Sequence, residues 1–225
     1  MGTRCTLLRP GLTTYQHAWQ LQQRIAAGVR EGAPPALVLL EHPPVYTLGV
    51  RGKTENILLS QEALLSRGAE VHRTDRGGDV TFHGPGQLVG YPILDLRGYV
   101  QGPVWYVRTI EALLIDVLSR FGIVASRSPG RPGVWVADAK IAAIGVRVSR
   151  GVTTHGFALN VSTDLACFRH IIPCGLADAG VTSMQQLTGE RFAMSEVEAE
   201  VADAFERLFG VELMEEALTG AAIGS

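Results

Sequence analysis

The sequence predicts an α+β fold: a mixed, largely antiparallel central sheet flanked by helices. Three observations predict it. Strand-like apolar segments come in consecutive runs with amphipathic helices between the runs, rather than in strict alternation. Glycine-rich turns separate the strands of the longest run. Hydrophobic residues make up 46% of the chain and charged residues 19%, a globular balance, and 225 residues suffice to build a core without disulfide staples. No internal repeat, low-complexity tract or long linker divides the chain. The expectation is therefore one domain over residues 1–218, followed by a frayed tail from Thr219 to Ser225.

The elements follow in order. Thr3 to Leu8 reads as a strand, and Thr13 or Thr14 can cap a helix running to about Val29, ended by Gly32, Pro34 and Pro35. Ala36 to Glu41 is a short buried strand stopped by His42-Pro43-Pro44, and Ser60 to Arg67 is a short helix closed by Gly68. Glu70 to Thr74, Asp79 to His83 and Leu88 to Leu94 are strands. Val104 to Phe121 is the strongest helix. Ile110, Leu113, Leu114, Val117, Leu118 and Phe121 share one face, and Gly122 suits the stop. Val134 to Val136, Lys140 to Val148 and Thr153 to Asn160 follow as strands, the last two a hairpin around Ser149-Arg150-Gly151. Ser195 with Glu198 predicts a capping box for a final helix whose Val197, Val201, Phe205 and Leu208 face inward, with Gly210 ending it.

Charge and cysteine content exclude several functions. Twenty Lys and Arg against 22 Asp and Glu leave a net charge of −2, so nothing pulls the whole chain toward nucleic acid or a membrane surface. Cys5, Cys167 and Cys174 cannot form a disulfide framework and suit a reducing compartment. Met1 to Pro10 lacks the apolar core of a secretory signal, and no apolar run approaches the ~18 residues of a membrane span. These features predict a soluble cytoplasmic protein.

The densest chemistry lies in Arg76-Gly77-Gly78-Asp79-Val80-Thr81-Phe82-His83-Gly84-Pro85-Gly86-Gln87. Gly84, Gly86 and Gly90 miss the dinucleotide-binding spacing by one residue, and no Gly-Lys-Ser/Thr is present for a P-loop. The segment reads either as a hairpin whose turns need glycine or as a binding loop. In the second reading Gly77-Gly78 lets backbone approach a ligand, Arg76 offers a positive fork, and Thr81 and His83 alternate with Val80 and Phe82.

Two further positions carry alternatives. Lys140 heads an almost wholly apolar strand; its side chain faces solvent at the strand entrance, or it turns inward as a base or charge partner. Cys174, between Pro173 and Gly175, is either an inert buried thiol or a nucleophile exposed on a tight turn. Cys167, His170 and Cys174 have tolerable zinc-ligand spacing, but the remaining cysteine is far upstream, and no metal is expected. Cys167 reads as packing. His83 and His155, in glycine-flanked stretches, are candidate site residues; His17 and His72 read as surface, and His42 as lining a pocket or a turn.

Four blocks, HPPVYTLG, RGGDVTFHGPGQLVGYPILDL, AKIAAIGVRVSRGVTTHGFALNV and FRHIIPCG with GVTSM after it, resemble the lipoyl(octanoyl) transferases in order and spacing. The match covers most of the chain from Pro35 to Leu187. Where that family commonly has Gly-Lys-Lys, this sequence has Asp138-Ala139-Lys140, leaving one positive charge fewer.

The resemblance implies the fold of biotin and lipoate protein ligases. It implies transfer of an octanoyl group from octanoyl-acyl carrier protein to a lysine on lipoyl domains of 2-oxoacid dehydrogenase complexes and on the glycine-cleavage carrier protein. No cofactor and no ATP are implied, because thioester-to-amide transfer is downhill. Cys174 corresponds to the family nucleophile and Lys140 to its dyad partner. Arg76, Gly77, Gly78, Asp79, Val80, Thr81, Phe82 and His83, then Ala143, Ile144 and Gly145, then Gly156, Phe157 and Ala158, match the acyl-substrate segments. The rival of similar fold is an ATP-dependent lipoate or biotin ligase.

Overall fold

The structure is a computed structural model and describes residues 3–99, 102–172 and 180–217. Its elements are β1 (Thr3–Leu12), α1 (Tyr15–Arg30), β2 (Ala36–Glu41), β3 (Val45–Leu48), α2 (Gln61–Leu65), β4 (Glu70–Arg73), β5 (Val80–His83) and β6 (Gln87–Ile93). After them come α3 (Gly102–Arg120), β7 (Ser126–Ser128), β8 (Arg131–Val136), β9 (Ala139–Ser149), β10 (Val152–Asn160), β11 (Gly180–Val181), α4 (Met184–Thr188), α5 (Met194–Phe209) and β12 (Val211–Glu215). Among the described residues the larger sheet runs β12-β1-β2-β6-β10-β9-β8-β7, with β11 added to β9; a smaller sheet runs β4-β3-β5. Parallel pairing joins β1 to β12 and to β2, whereas β2, β6, β10, β9, β8 and β7 pair antiparallel. The predicted mixed, largely antiparallel sheet flanked by helices is what the chain forms.

β2 is apolar from Ala36 to Leu40 because both its faces are covered there. Leu37 and Leu39 pack with α3 and α5, through Ile110, Leu113, Leu114, Val201 and Phe205. Val38 and Leu40 point the other way, onto Ala18, Leu21, Ala26 and Val29 of α1. Burying each of the α3 side chains stabilises the fold by roughly 1.5–3 kcal/mol, which explains why that helix has the clearest periodicity. Thr14 caps α1 by accepting from the His17 N–H, and Gly210 ends α5 in the left-handed conformation.

The larger sheet is not electrically uniform along its width. At the β12 end, α5 and β12 carry Glu196, Glu198, Glu200, Asp203, Glu206, Glu212 and Glu215. At the other end, β7, β8 and β9 carry Arg127, Arg131, Lys140 and Arg147. No helix among the described residues is long and apolar enough to cross a membrane.

Two expectations need correction. The capping box at Ser195 and Glu198 does not form. The helix begins at Met194 with Ala193 as its cap residue, and the Glu196 carboxylate accepts from the Ala193 N–H at 3.3 Å. Glu198 instead reaches the Arg9 guanidinium at 3.4 Å. β3, β7, β11, β12 and α4 are additional to the predicted elements. The first of these organises the small sheet, because Val45–Leu48 pairs with β4 on one side and β5 on the other.

Candidate active site

A cavity of about 610 Å³ lies between the small sheet, β8, β9 and β10. Of the residues matched to the family's substrate segments, Arg76, Gly77, Gly78, Asp79, Val80, Thr81, His83, Ala143, Ile144, Gly145, Gly156, Phe157 and Ala158 line it, and so does Lys140. Phe82 does not. It turns into the small-sheet core, 5.1 Å from the Tyr46 ring and 5.6 Å from Phe168. Cys174 lies outside the described residues.

The Arg76 loop is built by its own side chains. Arg76 is 7% exposed. Its Nη2 donates to Thr47 O (2.6 Å), Thr47 Oγ1 (2.9 Å) and Asp79 O (2.7 Å); Nη1 donates to Gly77 O (3.0 Å) and Nε to Thr47 Oγ1 (3.2 Å). The guanidinium fork expected to meet a ligand is thus engaged with the backbone around it, tying the loop to β3. The loop is also fastened to β9: the Gly77 N–H donates to Val146 O at 2.9 Å.

Close backbone approaches account for two of the cavity's glycines. A methyl group on Gly145 would stand 2.9 Å from Gly77 O, and one on Gly156 would overlap Gly90 O. Protein backbone already occupies the space these glycines leave, so room for an acyl chain is not what requires them.

Asp75, just before the loop, accepts from His155 Nε2 at 2.6 Å and is paired with Arg147. The hydrogen bond from His155, followed by the charges of His155 and Arg147, holds its carboxyl below the usual range despite partial burial. His155 is buried and sits at φ 58°, and its backbone N–H donates to Gln22 Oε1 at 2.7 Å. Behind it a row of neutral rings closes the cavity. His83 Nδ1 donates to Gln87 Oε1 (2.8 Å), and Gln87 Nε2 donates to Asn160 Oδ1 (2.9 Å). His42, away from the cavity surface, donates from Nδ1 to Thr13 O (2.6 Å) and accepts from Tyr91 Oη (2.7 Å). Burial pushes His42 down to about 4 and His83 down to about 3, so both stay uncharged near neutrality. The Tyr15 hydroxyl is pushed up to about 12 by burial.

Lys140 is half-buried at the start of β9, cross-strand from Trp135. Its Nζ lies 4.8 Å from the Trp135 ring centroid, so of the two orientations open in the sequence the inward one is realised. Cys167 packs on the small-sheet core, as expected. Burial and then the Asp164 charge raise its thiol above the ordinary value, the opposite of what a nucleophile needs. His170 accompanies it: Tyr46 Oη donates to Cys167 O at 3.1 Å and lies 2.9 Å from His170 Nδ1.

Tyr15, Gln87, Tyr91, Arg131, Trp135 and Asn160 also line the cavity and were not legible in the sequence. They come from α1, β6, β8 and β10, and no local spacing links them.

The lipoyl protein ligase A/B catalytic domain model matches residues 14–206. Octanoyltransferase of Gloeobacter violaceus is 48% identical over 211 residues, 93% of this chain and 92% of that protein. Octanoyltransferase of Solibacter usitatus is 49% identical over 219 residues, 97% and 99% of the two chains. Among solved structures, lipoate-protein ligase A bound with ATP superposes with a TM-score of 0.82 at 16% identity, covering 99% of this chain and 91% of that one. Biotin protein ligase of Aquifex aeolicus gives 0.52 at 12%, covering 93% and 70%. At such identities these structures share the fold alone. With the family model spanning residues 14–206, which include every cavity-lining residue and Lys140, the chain belongs to the lipoyl protein ligase A/B catalytic domain family.

Proposed function

We propose that this chain is a cytoplasmic octanoyltransferase of protein lipoylation. It takes the acyl group from octanoyl-acyl carrier protein and delivers it to a lysine of lipoyl domains, those of 2-oxoacid dehydrogenase complexes and of the glycine-cleavage carrier protein. The observation that carries the reading is Lys140 turned into the cavity of a chain 48% identical to an octanoyltransferase along nearly its whole length.

The chemistry proceeds in two acyl transfers. The Cys174 thiolate attacks the thioester carbonyl. The carbon–sulfur bond to the carrier's arm breaks, and the departing thiolate takes a proton from the Lys140 ammonium. Cys174 is then acylated. The acceptor lysine's neutral amine attacks this second thioester, the amide forms, and its surplus proton returns to Lys140 as the Cys174 thiolate leaves. No bond to phosphate is made, so ATP has no part. A lysine near the thiol favours the thiolate by charge and has the mobile protons the cycle requires. The apolar wall of Ile144, Phe157 and Ala158 suits a saturated chain; burying seven methylene-type carbons is worth roughly 5–6 kcal/mol gross at about 0.8 kcal/mol each.

The test is the mass of the intact protein after incubation with octanoyl-acyl carrier protein. One octanoyl group, mapped to Cys174 and discharged by a lipoyl domain, is the expected result. Failure to acylate, together with acceptor modification only from free octanoate and ATP, would make the chain a ligase instead.

A further inference from the structure

The start of β9 and the whole of β8 bring two cations to one ring: the Arg131 guanidinium, its Cζ 4.4 Å from the Trp135 centroid, and the Lys140 ammonium. Trp135 and Lys140 are directly paired across the two strands. Lys140 Nζ lies 4.8 Å from the Trp135 ring centroid, within the range of a cation–π contact. The lysine stem runs over Gly133, where a Cβ would stand at ordinary contact distance from Lys140 Cε (3.4 Å) and Cδ (3.6 Å) but only 2.6 Å from Ala142 O, the clash that excludes a side chain there. Gly133 has φ 120°, beside an irregularity in register between Val134 and Trp135, a backbone path that other residues rarely adopt. The ring itself is fixed. It is 1% exposed, and its Nε1 donates to Arg131 O at 3.3 Å.

We infer that Trp135 is a positioning residue of the acyl-transfer reaction, whose π face, with the bare backbone of Gly133 beneath the stem, holds the Lys140 ammonium at its working place in the cavity. The inference rests on the role proposed for Lys140. A long lysine in open solvent samples many rotamers and loses that freedom at each encounter with the reacting group. A ring face under the ammonium restricts it beforehand, by a contact that uses none of its N–H donors. A ring that served only to fill the core would be indifferent to its electrons. A ring that holds a cation is not.

Site-specific replacement of Trp135 by mono-, di-, tri- and tetrafluorotryptophan tests this, because fluorine drains the π face with little change of shape. The expected result is a graded fall in kcat, about five- to tenfold across the series, with KM for octanoyl-acyl carrier protein within about twofold and Tm nearly constant. A flat kcat series overturns the inference, and so does a series that falls in the unaltered chain but is flat in Arg131→Gln, where only the Lys140 contact with the ring remains. Trp135→Phe, which keeps a face, should retain more kcat than Trp135→Met, which keeps bulk alone; equal values also overturn it. Lys140→Ala run alongside separates the two levels. If it retains full activity, the proposed role of Lys140 fails; if it is inactive while the fluorinated series stays flat, only the role of Trp135 fails.

Discussion

Two of the cations that line the cavity have opposite employment. Arg76 is buried, and its three nitrogens bind the carbonyls and hydroxyl of its own loop and of β3. Lys140 is half-buried, its stem over a glycine and its ammonium over a ring face. A planar fork with five fixed donors suits the permanent satisfaction of several oxygens at once. A flexible stem ending in a titratable ammonium suits a proton that must move. Charge inside a cavity is therefore no guide to chemistry until its hydrogen bonds are accounted for.

The comparison breaks first on activity. Lys140→Ala should lower the rate of transfer by about 10²–10⁴, the range of a general acid–base group, with little change in Tm. Cys174→Ala should abolish acylation, and Cys167→Ala should keep most of it. An inactive Cys167→Ala with an active Cys174→Ala, measured by intact mass, would reverse the nucleophile assignment.

Arg76→Met should act on stability instead. It removes the guanidinium donors to Thr47 O, Thr47 Oγ1 and Gly77 O and one of two donors to Asp79 O, which keeps the Gly49 N–H at 3.1 Å. The expected loss is about 3–5 kcal/mol in urea unfolding. Arg76→Lys should restore little of it, since one ammonium cannot span the fork. A stable Arg76→Met with a raised KM would mean that the guanidinium serves ligand after all.

Smaller effects sharpen the contrast between the loop and its seat. Gly145→Ala pushes a methyl against Gly77 O and should cost about 1–3 kcal/mol while leaving acyl chain-length preference unchanged. A shift toward shorter chains at constant stability would return that glycine to the substrate.

The gentlest test is acid. His42 and His83 are neutral when folded, at about 4 and about 3, and near 6.5 when unfolded. Below pH 6.5 the unfolded chain binds more protons, so stability is full above that value and falls as pH drops toward 4 and then 3. Each imidazole should contribute roughly 1 kcal/mol of loss by pH 5.5. His42→Gln should flatten the pH dependence of urea unfolding. An unchanged slope would show that the ring titrates alike in both states.

Legibility in the sequence followed the range over which the information is stored. Ala36–Glu41 and the face of α3 were readable because their signal, a buried run and a 3.6-residue repeat, is local. Val45–Leu48 was hidden behind two prolines and is only four residues long. β12 was hidden because its pairing depends on β1, more than 200 residues away. At the site, the glycine-rich loop and the lysine were visible as motifs. The structural engagement of Arg76 was not legible because its hydrogen-bond partner, Thr47, lies 29 residues upstream and carries no signal. Trp135 was invisible for the same reason, since its importance appears only when β8 is laid against β9.

The strand order has one more consequence. The chain is nearly neutral, with a net charge of −2, yet α5 and β12 carry seven acids against Arg207 alone, and β7 to β9 carry four bases and no acid, at opposite ends of one sheet. The molecule thus carries opposite charge on the elements at the two ends of its sheet, with the cavity at the positive one. An acidic protein approaching in solution exerts a torque on it before any contact, turning the cavity toward the visitor. That torque fades once the separation exceeds a Debye length, about 8 Å at physiological ionic strength, so the orientation is imposed only in the last steps of an encounter.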